Sequence, residues 1–133
     1  MKHTIFVSVN ARDVIEVSEK NALAVERPQT FRWMLAKDTK KKWKFDYDKG
    51  GVVFSSSQII YSNQNSDDWE CVDKNTNFET FEYTINLVNK DTKQPISLDP
   101  TIKNGSMLLE LLIARVISLV LRVVGLFRYL FSG

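Results

Sequence analysis

For its first hundred residues the chain alternates hydrophobic and polar positions in short bursts, and it then gives way to an almost unbroken apolar run. Bursts of period two predict strands. They fall at residues 4–9, 13–18, 22–25, 30–35, 43–47, 52–54, 59–61, 69–72, 81–88 and 95–98. The clearest is 81–88, with Phe81, Tyr83, Ile85 and Leu87 expected inward and Glu82, Thr84 and Asn86 outward. In 43–47, Trp43, Phe45 and Tyr47 share one face while Lys44 and Asp46 take the other. Pro28 breaks any helix in its vicinity, Gly50-Gly51 marks a turn, and residues 62–68 read as a polar loop. Many short strands separated by polar turns predict a mostly β fold, an antiparallel Greek-key sandwich or barrel.

The apolar run predicts something different. Residues 107–131 hold no Pro and a single Gly. As a helix they extend about 38 Å, against about 30 Å for the hydrocarbon core of a bilayer. Ser106 is a plausible N-cap and Glu110 suits the first turn. The pattern therefore divides the chain into a head, residues 1–105, and an apolar transmembrane-type helix, residues 106–133.

At 100° per residue, Leu111, Arg115, Ser118, Arg122, Gly125 and Tyr129 fall within about 80° of one another, with Ala114 at the edge. The rest of the circumference is Leu, Ile, Val and Phe, and Glu110 and Arg128 sit near the two ends. Fourteen Leu, Ile, Val and Phe residues lie within 108–127. Together they favour insertion into lipid by roughly 4–8 kcal/mol, and Arg115 and Arg122 oppose it by up to about 2.5–3.5 kcal/mol each. A lone helix is near break-even. A shared arginine stripe relieves the cost, and small residues on the same face let helices approach closely. The expectation is a membrane-bound homo-oligomer in which this stripe lines an interior. Three other readings stay open: a soluble assembly sealed by the helix, a helix flat on the lipid surface, and a helix folded back over its own head.

Charge sharpens the division. The chain carries 18 Lys and Arg, 16 Asp and Glu, and a net charge of +2. Only Arg115, Arg122, Arg128 and Glu110 lie beyond residue 106, so the head is neutral and the excess belongs to the helix. A neutral head speaks against nucleic acid as a partner, which requires a basic face. Cys71 is the single cysteine and rules out an internal disulfide. The opening MKHTIFVSVNARD is too short in apolar residues for a signal peptide. Both observations suggest a cytoplasmic head. Asn104-Gly105-Ser106 matches a glycosylation sequon and is read instead as a turn.

The landmarks run in a characteristic order. Val14-Ile15-Glu16-Val17 comes first, then Phe31-Arg32-Trp33-Met34-Leu35, then Trp43-Lys44-Phe45 with Gly51-Val52-Val53-Phe54. Phe81-Glu82-Tyr83-Thr84-Ile85 follows, and Leu98-Asp99-Pro100-Thr101-Ile102-Lys103-Asn104 closes the head. Over residues 12–104 this resembles small bacterial β-sandwich domains of cupredoxin-like fold that end in a Leu-Asp-Pro-x-Ile-x-Asn segment. The resemblance implies a Greek-key sandwich and a bacterial source. It implies no activity.

Chemistry is sparse. A blue-copper site needs two His and a Cys with an axial Met, and the chain has only His3, at a terminus expected to fray, with Met34 inside the head. No metal and no cofactor is expected. Asp46-Tyr47-Asp48-Lys49-Gly50-Gly51 resembles the start of a calcium loop, but Gly50 and Ser57 fall where two ligands belong, so a hairpin turn is expected. Lys40-Lys41-Lys42-Trp43-Lys44 could meet anionic headgroups, yet Asp38, Asp46 and Asp48 dilute it and a solvated tip is the simpler reading. Trp33, Trp43 and Trp69 are expected in the core. Cys71, beside Glu70 and Asp73, is expected to be an unreactive thiol. No residues stand out as catalytic. The composite expectation is a non-enzymatic oligomeric membrane protein, with membrane disruption in a bacterial defence or toxin system as its conjectured use. A soluble binding or adaptor module that assembles through its helix is the alternative.

Overall fold

The computed structural model describes residues 1–105 and 107–131, with side chains throughout except at 107–111 and 131. The strands are β1 (Lys2–Val9), β2 (Ile15–Val17), β3 (Asn21–Ala24), β4 (Gln29–Leu35), β5 (Trp43–Phe45) and β6 (Val52–Phe54). β7 (Ile59–Gln64), β8 (Asp68–Asp73), β9 (Thr80–Asn89), β10 (Pro95–Leu98) and β11 (Thr101–Asn104) follow, and the helix α1 (Met107–Phe131) ends the chain. One sheet runs β2-β1-β4-β8-β7. The other runs β10-β9-β11-β3, with β5 and β6 on the opposite flank of β9. The head is thus a mostly β, sandwich-like body followed by one helix.

Alternation along β4, β8 and β9 builds the core. Phe31, Trp33, Leu35, Trp69 and Cys71 from one sheet are buried, as are Phe81, Tyr83, Ile85 and Leu87 from the other. The Trp33 indole N–H donates to Tyr83 Oη across the layer at 3.0 Å, and the two rings meet edge to face at 5.3 Å. Phe54 stacks on Tyr83 at 4.9 Å. Aromatic pairs of this kind contribute about 0.5–1.5 kcal/mol beyond the area they bury. All three tryptophans lie inside, as the spacing predicts.

The expectation of antiparallel pairing throughout needs correction: both sheets are mixed. β1 lies parallel to β4, and β3 lies parallel to β11. After β2 the chain leaves the first sheet, adds β3 to the second, and returns as β4 alongside β1 in the same direction. Hydrophobic alternation reports which face is buried and does not fix the direction of any one neighbour in a mixed sheet. His3, expected at a frayed end, lies within β1 and pairs in register with Phe31.

Two further corrections concern breaks within strands. The DYDKGG segment does not turn a hairpin. β5 and β6 run antiparallel to the same flank of β9, and residues 46–51 loop out between them. Asn86 closes that loop: its N–H donates to Gly51 O at 2.8 Å, its carbonyl accepts from Asp46 N–H at 2.9 Å, and its Nδ2 donates to Lys49 O at 3.2 Å. This is why Asn86, expected outward, is only 8% exposed. Tyr47, expected inward, sits in the loop and is 52% exposed. In the same way β10 and β11 form one strand broken at Asp99-Pro100, held in register by Tyr83 N–H donating to Pro100 O at 3.0 Å. The stretch expected as a polar loop at 62–68 is largely the extension of β7 and the start of β8.

Candidate assembly helix and its root

α1 is a Pro-free run in which Leu, Met, Ala, Glu and Arg, all good helix formers, outnumber the β-branched and aromatic residues, and Arg128 in the last turn complements the helix dipole. A helix apolar around most of its circumference is stable in a globular protein only when it is covered. The head does not cover this one. Every described side chain from 112 to 130 is exposed. Val124, among the least exposed of its apolar residues, still shows 43% of its surface, and Leu121 shows 66%. A Cβ added at Gly125 would meet no atom within 4 Å. No described side chain of the helix is buried as it would be if the helix folded over its own sandwich.

Because α1 is continuous, the helical repeat places Ala114, Arg115, Ser118, Arg122, Gly125 and Tyr129 along one side, all of them exposed. Leu111, expected in the same stripe, lies outside the described side chains, and so does Glu110. Ser106, the expected cap, lies outside the described residues. Among the described residues, no helix is long and apolar enough to cross a membrane. Charge is the reason: any 18 consecutive residues of α1 include three ionic side chains.

The root of the helix is more elaborate than the sequence suggests. Asn75, in the loop after β8, is fully buried, and its Nδ2 donates to the carbonyls of Ala24 (3.2 Å), Glu26 (2.9 Å) and Gly105 (3.0 Å). Gly105 N–H returns a bond to Asn75 Oδ1 at 2.8 Å. One side chain thus clasps the residue two positions before α1 to the end of β3. Asn104 is also fully buried and donates through Nδ2 to Asn77 Oδ1 at 3.1 Å. The sequence reads Asn104-Gly105 as a turn, and nothing in its pattern marks Asn75 or Asn104 as buried.

Elsewhere the head shows little reactive chemistry. Burial pushes the Cys71 thiol up, and Asp73 and Glu70 push it the same way, which disfavours the thiolate. His3 Nε2 lies 2.9 Å from Glu19. Among the described residues no three His, Cys, Asp or Glu side chains gather as a metal site would require. An apolar slot of about 410 Å³ opens where β6 approaches β7, lined by Tyr47, Val53, Tyr61 and Gln64 over Trp69. Tyr47 Oη donates to Gln64 O at 2.9 Å, and Phe54 N–H donates to Tyr61 Oη at 3.2 Å, so both walls are tied across the gap. Sequence reasoning missed this slot because Tyr47 read as core.

No family model matches the chain, and no curated protein matches it.

Proposed function

We propose that this chain is a non-enzymatic membrane protein that acts as a homo-oligomer through α1, its head a cupredoxin-like Greek-key domain on the cytoplasmic side. The observation that carries this reading is the helix exposed on every described side, with Arg115 and Arg122 on a stripe shared with Ser118 and Gly125 and Arg128 in the last turn. A single such helix gains and loses about equally on entering lipid, because two central arginines offset the apolar residues. Copies that turn their stripes toward one another give the guanidinium groups a wet interior and leave the apolar surface to the lipid tails. Such an interior would leak ions, and disruption of a membrane is the function that follows.

A soluble assembly sealed by α1 is the second reading. Three arginines among residues 112–130 favour it, since that density suits a solvated seam. Dye release from liposomes, together with the size of the particle in mild detergent, separates the two. The membrane reading requires leakage from a detergent-stable oligomer. Insertion of a monomer that never leaks dye would leave a plain tail anchor and refute the pore.

A further inference from the structure

Where β6 faces β7, two aromatic rings and a valine stay open to solvent although the core lies beneath them. Tyr47, Tyr61 and Val53 are exposed, whereas Trp69 is buried. The slot that these four help to line holds about 410 Å³, within the ordinary range of small-ligand pockets. Its walls are fixed before any ligand arrives. Tyr47 Oη donates to Gln64 O and Phe54 N–H donates to Tyr61 Oη, so neither phenol swings freely. The Tyr47 and Trp69 rings meet at 5.4 Å, and those of Phe54 and Tyr61 at 6.2 Å. Gly51, at φ +63°, lies so close to Trp69 that an added Cβ would stand 2.4 Å from the indole. A site ordered in advance gives up little freedom on binding.

The lining also selects what fits. Among the described residues no charged side chain lines the slot, while Asp46, Asp48 and Lys49 line a separate recess with Lys44 and Lys93. An ion entering the slot would leave water without meeting a counter-charge. Hydrogen-bonding capacity does remain. Tyr61 accepts from Phe54 and keeps its own proton to donate; Tyr47 has given its proton to Gln64 O and keeps a lone pair to accept. The exposed Gln64 side-chain amide can do both. Trp69 also carries a buried indole N–H with no partner among the described residues. We propose that this slot binds a small, planar, uncharged aromatic molecule with an amide-like edge, its ring against Tyr47, Tyr61 and Trp69. Every residue involved belongs to the head, so binding is independent of whether α1 enters lipid.

The test is NMR on the full chain in mild detergent, following the backbone amides of Tyr47, Gly50, Val53, Tyr61 and Gln64 as benzamide is added. They should shift together and saturate, with a dissociation constant below about 1 mM, as small fragments reach. Two further molecules separate the features of the ligand. Cyclohexanecarboxamide keeps the amide without the flat ring, and benzoate keeps the ring but is charged. Each should bind at least about tenfold more weakly, the first for want of stacking and the second for want of a counter-charge. Val53→Lys, which places bulk and charge in the slot, should weaken benzamide to the same degree and leave amides elsewhere in the head unmoved. Shifts that grow without saturating, equal binding of the three molecules, or full benzamide affinity in Val53→Lys overturns the proposal. If Val53→Lys does not fold, Tyr47→Ala in the exposed loop should show the same weakening, and full affinity there overturns the proposal equally.

Discussion

Trp33 and Tyr83 show how single side chains set the inner layer. Tyr83 is buried, which raises its phenol, while the Trp33 N–H bonded to its oxygen pulls the other way. Replacing Tyr83 with Phe leaves the shape intact but strands a buried indole N–H. It should cost about 1–3 kcal/mol, measured as a lower urea midpoint at unchanged slope; an unchanged midpoint would mean that the bond carries no net stability. At this scale the sequence was legible where burial follows alternation. Trp33, Trp43, Trp69 and the inward residues of β9 all read correctly. Tyr47 and Asn86 did not, because both belong to a looped-out segment whose length alternation does not register. Asn75 and Asn104 were unreadable for another reason: a buried asparagine is recognised by the backbone groups it serves, and those come from distant parts of the chain.

Among the elements, the strands were legible and their pairing was not. β10 and β11 form one interrupted strand, but Pro100 hid the second half, and no pattern along β1 or β3 announces a parallel neighbour. α1 was legible from composition alone, since a Pro-free apolar run of this length has few other conformations. Its use is the open question, and its stripe offers the means to test it. Replacing both Arg115 and Arg122 with Leu removes two insertion penalties of up to about 2.5–3.5 kcal/mol each. It also removes the hydration that a pore needs. The double variant should therefore insert more fully and release no dye. Aggregation without lipid would identify the stripe as a solvated seam instead. Ser118→Leu and Gly125→Leu probe close approach without touching charge: they should reduce the oligomer seen in detergent, and an unchanged size would exclude the stripe as the contact.

For the molecule as a whole, the head and the helix dispose of their apolar side chains differently. The head encloses most of its large apolar side chains in a core, whereas every described apolar side chain of α1 is exposed. A fragment covering residues 1–105 should consequently stay soluble with a β-type circular-dichroism spectrum and a cooperative melt. A helical or unfolded spectrum would show that α1 is part of the head's own fold. The most direct test of the central claim is flotation of the full chain with liposomes, washed at high salt to strip proteins held by charge alone. The account predicts that the protein floats with the lipid and leaves it only in detergent. A chain that stays at the bottom as a large lipid-free particle would contradict it.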